Sequence, residues 1–319
     1  MNPTNPSAFV LVGPTASGKS AVAQLLAEQT GATIVSADSM NIYRGMDIGT
    51  AKPSPAERAA VVYRGIDLAD PTEAFSVGDW LNAVRPVFQG SEDLIVAGGT
   101  GLYVKCLLQG LDDLPAADEA LRARAEKMSL AELQAEAQKT SPDAYAALAD
   151  NENPRRLVRL LEKFQALEKT AEKVPTLGKQ KGAGSACWKT EMPTVIGLHV
   201  ERDVLCKRIA ARVEKMYAGG LLEEARGLIG LELSATAQKA IGYAEAFAVL
   251  RGELTEAKAK ERTVIRTRQL AKRQATWFRT QLKVQWINTA DFPTLGKIAE
   301  EVSNVWKNCG PIPLAGARL

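Results

Sequence analysis

Residues 13–20 read Gly13-Pro14-Thr15-Ala16-Ser17-Gly18-Lys19-Ser20 and satisfy the spacing G-x-x-x-x-G-K-[ST]. That pattern binds oxyanions. The glycines let backbone N–H groups curl around phosphate oxygens, Lys19 adds a point charge, and the Ser20 hydroxyl suits Mg²⁺. The stretch AFVLV (8–12) reads as a strand before the loop and SAVAQLLAEQTG as a helix after it, so a helix N-terminus adds its positive dipole end. A glycine-rich turn that binds nothing is the bland alternative, and the register of strand, loop and helix argues against it. The expected ligand is a diphosphate or polyphosphate.

A second candidate is Asp38, in Ser36-Ala37-Asp38-Ser39-Met40-Asn41 at the end of a strand over 33–38. In open α/β sheets ligands gather at the carboxyl ends of strands, so Asp38 is expected to face the same crevice as the phosphate loop. A carboxylate there could ligate Mg²⁺, accept a substrate proton, or merely cap the next turn. A further strand, DLIVAGG (93–99), runs into Gly98-Gly99-Thr100-Gly101 with no carboxylate, unlike the metal-holding acid of nucleotide hydrolases. Those glycines either let a ligand approach the backbone or serve a turn that needs positive φ.

The third signal is electrostatic. Arg262, Arg266, Arg268, Lys272, Arg273, Arg279 and Lys283 follow one another with no acidic residue between them, interleaved with Trp277 and Phe278 and the amides Gln269, Gln274 and Gln281. A basic helical stripe with aromatics suits a nucleic-acid backbone and its bases, the alternative being a solvated helix face. Arg155, Arg156, Arg159 and Lys163 form a smaller group that Glu152, Glu162 and Glu168 could neutralise.

The elements that must position these residues alternate β-branched runs with helical stretches over the first hundred residues, the pattern of a parallel sheet with crossover helices. Gly31 suits the end of the first helix. From 115 to 170 the texture turns to Ala, Glu, Leu, Lys and Arg at helical spacing, read as an insertion, and 171–190 reads as a mobile loop. The run TVIGLHV (194–200) resumes a strand, helices follow at about 201–218, 219–230 and 255–283, and VQWIN (284–288) offers a last strand. The expected fold is α/β: a P-loop doubly wound parallel sheet with a helical insertion domain and C-terminal helices. Its parts are 1–112 (first part of the core), 113–190 (insertion) and 191–319 (core completion and basic helices).

Composition removes other chemistries. The 319 residues are 46% hydrophobic and 24% charged with a net charge of +3, ordinary for a globular chain, so nucleic-acid binding must come from local clustering. One histidine, His199, makes triads and multi-histidine metal sites improbable, and inside an apolar strand it reads as a buried structural imidazole. Four scattered cysteines (Cys106, Cys187, Cys206, Cys309) suggest neither zinc nor a disulfide framework. No segment approaches the roughly 20 apolar residues of a membrane span, and the start lacks a basic leader, so a cytoplasmic location is expected.

The blocks GPTASGKS, SADSMNIYRGMDIGTAKP (36–53), VAGGTGLYV (96–104), NPRRLVRLLE (153–162), KAIGYAE (239–245) and TRQLAKRQATWFR (267–279), in order over nearly the whole chain, jointly resemble the tRNA dimethylallyltransferases, also called tRNA isopentenyltransferases. Small departures are Asn41 where glutamine is more usual, Glu152 where aspartate is, and Tyr63 where histidine is common. The resemblance implies transfer of a dimethylallyl group from dimethylallyl diphosphate to N6 of the adenosine 3′ of the anticodon, in tRNAs reading codons that begin with U. It implies Asp38 as general base, Thr100 near the reacting centre, Lys19 and the loop on the diphosphate, and Mg²⁺ as cofactor with Ser20 toward it. It also implies tRNA contacts from Asp38, Ser39, Met40, Asn41 and Thr100, and from Arg122, Arg155, Arg156, Leu157, Val158 and Arg159 in the insertion. Further contacts would come from Lys239, Ala240, Ile241, Gly242 and Tyr243, and from Lys272, Arg273, Gln274, Ala275, Thr276, Trp277, Phe278 and Arg279. The expected partners are the anticodon stem-loop and dimethylallyl diphosphate, met by a monomer, with ATP a competitor for the loop. Competing readings are the same chemistry on a free adenine nucleotide, a small-molecule kinase, and a non-catalytic tRNA-binding protein. The intact Lys19, Ser20 and Asp38 speak against the last.

Overall fold

The computed structural model describes residues 6–90, 93–111, 118–148, 150–171 and 192–317. The chain divides into two compact units, residues 1–110 with 190–319, and residues 111–189.

The first unit is built on strands β1 (Ser7–Val12), β2 (Thr33–Ser36), β3 (Tyr63–Arg64), β4 (Leu94–Gly98), β5 (Thr194–His199) and β6 (Lys283–Asn288), parallel and ordered β3-β2-β4-β1-β5-β6, with β7 (Ile312–Pro313) antiparallel to β1. β2 and β4 are buried at every position, as apolar strands of a parallel sheet covered on both faces should be. Leu11, Ile34, Ile95 and Ile196 point to one face, where Val22 and Leu26 of α1 (Lys19–Thr30) meet Ile298, Val302 and Trp306 of α13 (Leu295–Cys309). The alternating Val10, Val12, Val35 and Val96 are buried too, on the face of α3 (Val77–Val84) and α4 (Gly101–Gln109). Those helices meet through Trp80 and Tyr103, 4.8 Å apart. Trp80 Nε1 also donates to the Ser36 carbonyl at 3.1 Å.

Two neighbouring strands thus send their chains to opposite faces, β1 into α1 and β4 into α4, which opens a crevice at their carboxyl ends. The register Val12↔Gly98 sets the phosphate loop beside the Gly98–Gly101 turn. Local signals end the elements: Gly31, at φ 73°, closes α1, and a Ser54–Glu57 capping box opens α2 (Pro55–Ala60). After β5 come α9 (Arg202–Ala218), α10 (Leu221–Arg226), α11 (Tyr243–Leu250) and α12 (Glu256–Gln281). The expected α/β sheet and C-terminal helices are present. The short edge strand β3 and helix α2 are too short to show a period, whereas α3 and α13 each bury a regular apolar stripe (Trp80, Leu81 and Val84; Ile298, Ala299, Val302 and Trp306) that was legible in principle. His199 is half-buried, its Nε2 3.5 Å from Glu201, and so is not the enclosed imidazole expected.

The second unit holds α5 (Glu119–Ala125), α6 (Leu130–Thr140), α7 (Pro142–Ala146) and α8 (Pro154–Ala171) around its own core, including Leu121, Leu133, Leu157 and Leu161. The loop expected at 171–190 lies, from 172 on, outside the described residues, as does Cys187. No described helix is long and apolar enough to cross a membrane.

Candidate active site

Two left-handed residues, Ala16 (φ 65°) and Gly18 (φ 94°), curl the phosphate loop into α1, a backbone shape that gathers N–H groups into a concavity. Inside it the Ser17 hydroxyl is buried without a hydrogen-bond partner among the described residues, and a Cβ on Gly13 would stand 2.7 Å from it. Lys19 is buried at the start of α1. Burial lowers its ammonium from 10.5 to about 8, the attraction of Asp38 opposing that fall and the repulsion of Arg212 adding to it.

Arg212 went unread in the sequence. It stands on α9 with Arg208, one helical turn apart, and both reach the loop: Arg212 Nη1 donates to Thr15 Oγ1 at 3.2 Å and Arg208 Nη1 to the Ser17 carbonyl at 3.2 Å. Burial holds the Arg212 guanidinium below its usual range, against the pull of Asp38. A cationic i,i+4 pair after a strand was the available signal, but Glu201 just before the helix and Asp203 and Glu214 within it masked it.

Asp38 lies where two cavities meet. One, of about 110 Å³, is lined by Lys19, Ser20, Ser36, Asn41 and Lys52. The other, of about 350 Å³, is lined by Ser39, Met40, Thr100, Lys239, Ile241 and Arg273. Thr15, Asp38, Thr50 and Arg212 belong to both. One Asp38 oxygen accepts the Met40 N–H at 3.0 Å, so the turn-capping role is real. The other accepts no hydrogen bond from a described residue and is available to a ligand. Thr100 Oγ1 accepts the Ser39 N–H at 2.9 Å and meets Ser39 Oγ at 3.2 Å, which joins the Asp38 turn to the end of β4.

The glycines at that end prove to be sites of close approach, not turns of positive φ. A Cβ on Gly98 would meet the Ala37 carbonyl oxygen at 2.1 Å, and one on Gly101 would enter the Trp277 ring at 2.0 Å. Beside its lysines and Arg212 the smaller cavity offers a divalent cation the oxygens of Thr15, Ser20, Asp38 and Thr50, and no cluster of three or more His, Cys, Asp or Glu occurs among the described residues. That poverty of protein ligands fits Mg²⁺, which takes most of its shell from substrate phosphates and water.

The far wall is pinned by acids, of which Glu245 is buried and Glu224 half-buried. Glu224 on α10 accepts the N–H groups of Asp47 (2.9 Å), Ile48 (2.9 Å) and Gly49 (3.2 Å) and the Tyr243 phenol. Burial, then Glu224, pushes that phenol far above its usual range. Lys52, with a fully buried side chain, bonds Asp47 (2.7 Å), Asp67 (2.6 Å) and the Tyr43 carbonyl. Glu245 accepts the Gly242 N–H at 2.9 Å and pairs with Arg266.

Along α12 the buried stripe is Ala259, Thr263, Thr267, Ala271 and Phe278, while Arg262, Arg268, Lys272, Arg273, Thr276 and Arg279 are exposed. Apart from Arg266, no cation of the basic stripe has an ion-pair partner among the described residues. Phe278 is enclosed, Trp277 packs on Gly101, and Ala275 is half-buried, so the aromatics serve packing. Tyr243, Gly242 and Ala240 lie in the wall, with Tyr243 and Ala240 buried. In the second unit Leu157 is buried, Val158 half-buried, and Arg155 and Arg156 are exposed. Arg122 and Arg159 both bind the buried Glu162, at 2.7 and 2.8 Å. Burial raises the Glu162 carboxyl, but these arginines and the Asp118 N–H bring it below its usual range.

A chain of Geobacter sulfurreducens named tRNA dimethylallyltransferase is 38% identical over 301 residues, 91% of this chain and 94% of that one. One of Rhodococcus jostii with the same name is 39% identical, covering 90% and 93%. A crystal structure of the full-length tRNA isopentenylpyrophosphate transferase of Bacillus halodurans superposes with a TM-score of 0.66 at 34% identity, covering 95% of this chain and 96% of that one. The profile of the IPP transferase family matches residues 41–281, from just past Asp38 through the end of α12. The chain belongs to the IPP transferase family.

Proposed function

We infer that this protein transfers a dimethylallyl group from dimethylallyl diphosphate to N6 of the adenosine 3′ of the anticodon in tRNAs reading codons that begin with U, releasing diphosphate. The observation that carries this assignment is the meeting of two cavities at one carboxylate, a cationic one on the phosphate loop and a larger one under exposed, unpaired cations. In this reading the allylic C–O bond breaks toward the diphosphate, which leaves with the electron pair. Lys19, Arg212 and the loop N–H groups meet the charge that grows there. Positive charge on the allyl fragment is spread by resonance. The adenine amine, a poor nucleophile because its lone pair is drawn into the ring, forms the new C–N bond and gives its proton to Asp38. General-base help of this kind is worth about 10²–10⁴-fold.

Thr100 holds the Asp38 turn, and the adenosine reaches Asp38 from the larger cavity only after leaving its stack. Ser20 and the diphosphate oxygens would hold Mg²⁺, which would neutralise the leaving group when bound. ATP is expected to compete for the loop without donating phosphate. The exposed cations of α12 favour tRNA over a free adenine nucleotide as acceptor, because a small nucleotide needs no such surface. The deciding assay incubates radiolabelled dimethylallyl diphosphate with tRNA, AMP or neither. Label in tRNA is expected. Label in AMP, or ATP hydrolysis stimulated by tRNA without prenyl transfer, refutes the assignment.

A further inference from the structure

The resemblance groups Gln274 with the tRNA-facing residues of α12, but its amide turns inward. Gln274 Oε1 accepts the Thr15 N–H at 2.8 Å, and Gln274 Nε2 donates to the Gly99 carbonyl at 3.0 Å. One side chain therefore spans both lips of the crevice, the phosphate loop after β1 and the turn after β4. Its seat is cut for it: a Cβ on Gly99 would lie 2.6 Å from Gln274 Nε2 and 3.6 Å from Lys19 Nζ. Gly99 has no left-handed φ, so its missing side chain is explained by this approach and not by backbone strain.

We propose that Gln274, whose side chain lines the larger cavity while its amide is held by Thr15 and Gly99, is a positioning residue that clamps the phosphate loop to the end of β4 and so sets the affinity of the site for the diphosphate. This rests on the loop being the diphosphate site. The physical ground is the loop's sparse support. The Ser17 N–H turns back to the Pro14 carbonyl at 3.2 Å, and side chains from α9 hold the loop at Thr15 Oγ1 and the Ser17 carbonyl. Of these tethers only Gln274 joins a loop N–H to the opposite lip. Without it the Thr15 N–H and the Gly99 carbonyl, both on buried residues, lose their partners, and a loop free to turn must be ordered by the ligand, which costs affinity.

The test attacks the clamp from both ends. Gln274→Met keeps the length of the side chain and removes both hydrogen bonds, and Gly99→Ala displaces the amide while leaving Gln274 intact. Inorganic pyrophosphate with Mg²⁺ is titrated calorimetrically into the full chain without RNA, tRNA affinity is measured separately by filter binding, and thermal melts check the fold. Each single variant is expected to weaken pyrophosphate about tenfold, and the double variant no more than either single, since both break the same contact. KM for dimethylallyl diphosphate should rise with them, while tRNA affinity stays within about twofold.

Unchanged pyrophosphate affinity in the folded single variants, losses that add fully in the double, or a loss confined to tRNA would each overturn the proposal. Should Gln274→Met fail to fold, Gly99→Ala decides alone. Lys19→Ala is the control for the underlying reading: if it too leaves pyrophosphate affinity untouched, the loop is not the diphosphate site. If only Lys19→Ala weakens binding, the loop stands and the clamp falls.

Discussion

Raising the pH should strip diphosphate affinity from this site while ordinary lysines are still fully charged. Burial leaves the Lys19 ammonium with a pKa of about 8 instead of 10.5, because the crevice withdraws it from water and Asp38 compensates only in part. A bound diphosphate supplies the missing counter-charge and raises that pKa again, so above pH 8 binding must capture a proton. Affinity should then be level up to about pH 7 and about tenfold weaker at pH 9, with log Kd rising by one per pH unit beyond. Calorimetric titration of pyrophosphate across this range, on wild type and Lys19→Met, reads the effect. Ionisation of the ligand is common to both proteins and cancels in their ratio.

The same shift has a stability counterpart of opposite sense. Between pH 8 and 10.5 the unfolded chain holds the Lys19 proton and the folded one does not, so stability rises with pH through that window. At pH 7 the folded state carries a penalty of about 3 kcal/mol, which Lys19→Met should relieve in urea melts, the gain fading as pH approaches 10.5. A flat wild-type profile to about pH 9.5, or a break at pH 8 that persists in Lys19→Met, would refute the reasoning.

Other outcomes follow from the same geometry. Asp38→Asn keeps an acceptor for the Met40 N–H but cannot take a proton, so kcat should fall about 10²–10⁴-fold with pyrophosphate affinity nearly intact; kcat within a few-fold of wild type would leave Asp38 as a turn cap. Lys272→Glu with Arg273→Glu should weaken tRNA binding sharply and flatten its salt dependence by a little under one unit of log K per lost phosphate contact; unchanged tRNA affinity would make the stripe a solvated face. Stability should hardly move in that double variant, since both side chains are exposed. Glu224→Ala leaves three backbone N–H groups and the Tyr243 phenol without their acceptor, and should cost about 3 kcal/mol in denaturant titration; a loss under about 1 kcal/mol would mean that water replaces the carboxylate.

What could be read from the chain beforehand was what is local. The phosphate loop, the strands flanking it and the Gly31 stop are each encoded within a few residues, and the crevice follows from the parallel pattern. Asp38 could be brought to that crevice, although its double part as turn cap and cavity wall could not be separated from spacing alone. The contacts that finish the site are long-range: Arg212 on Thr15, Glu224 on the 47–49 turn and Gln274 on Gly99 join residues with no shared periodicity. Glycines at 98, 99 and 101 looked like turn or ligand glycines because a close approach by a distant helix leaves no mark in the local sequence. The basic run was legible as charge. Its division into exposed Arg273, inward Gln274 and enclosed Phe278 needed the helix to be docked.

The clamp between Thr15 and Gln274 joins residues 259 positions apart, and β1 also waits for β5 to pair with it. A ribosome releases the amino end first. From the end of β4 until β5 is made, β1 can pair on one side with β4 while its other edge, at Leu11 and Val12, has no neighbour. Bare apolar edges template wrong pairings. A message cut anywhere between α4 and β5 would therefore yield not a weakened enzyme but a nascent chain prone to stick to its siblings. The interval before residue 194 emerges is when this polypeptide most needs a chaperone.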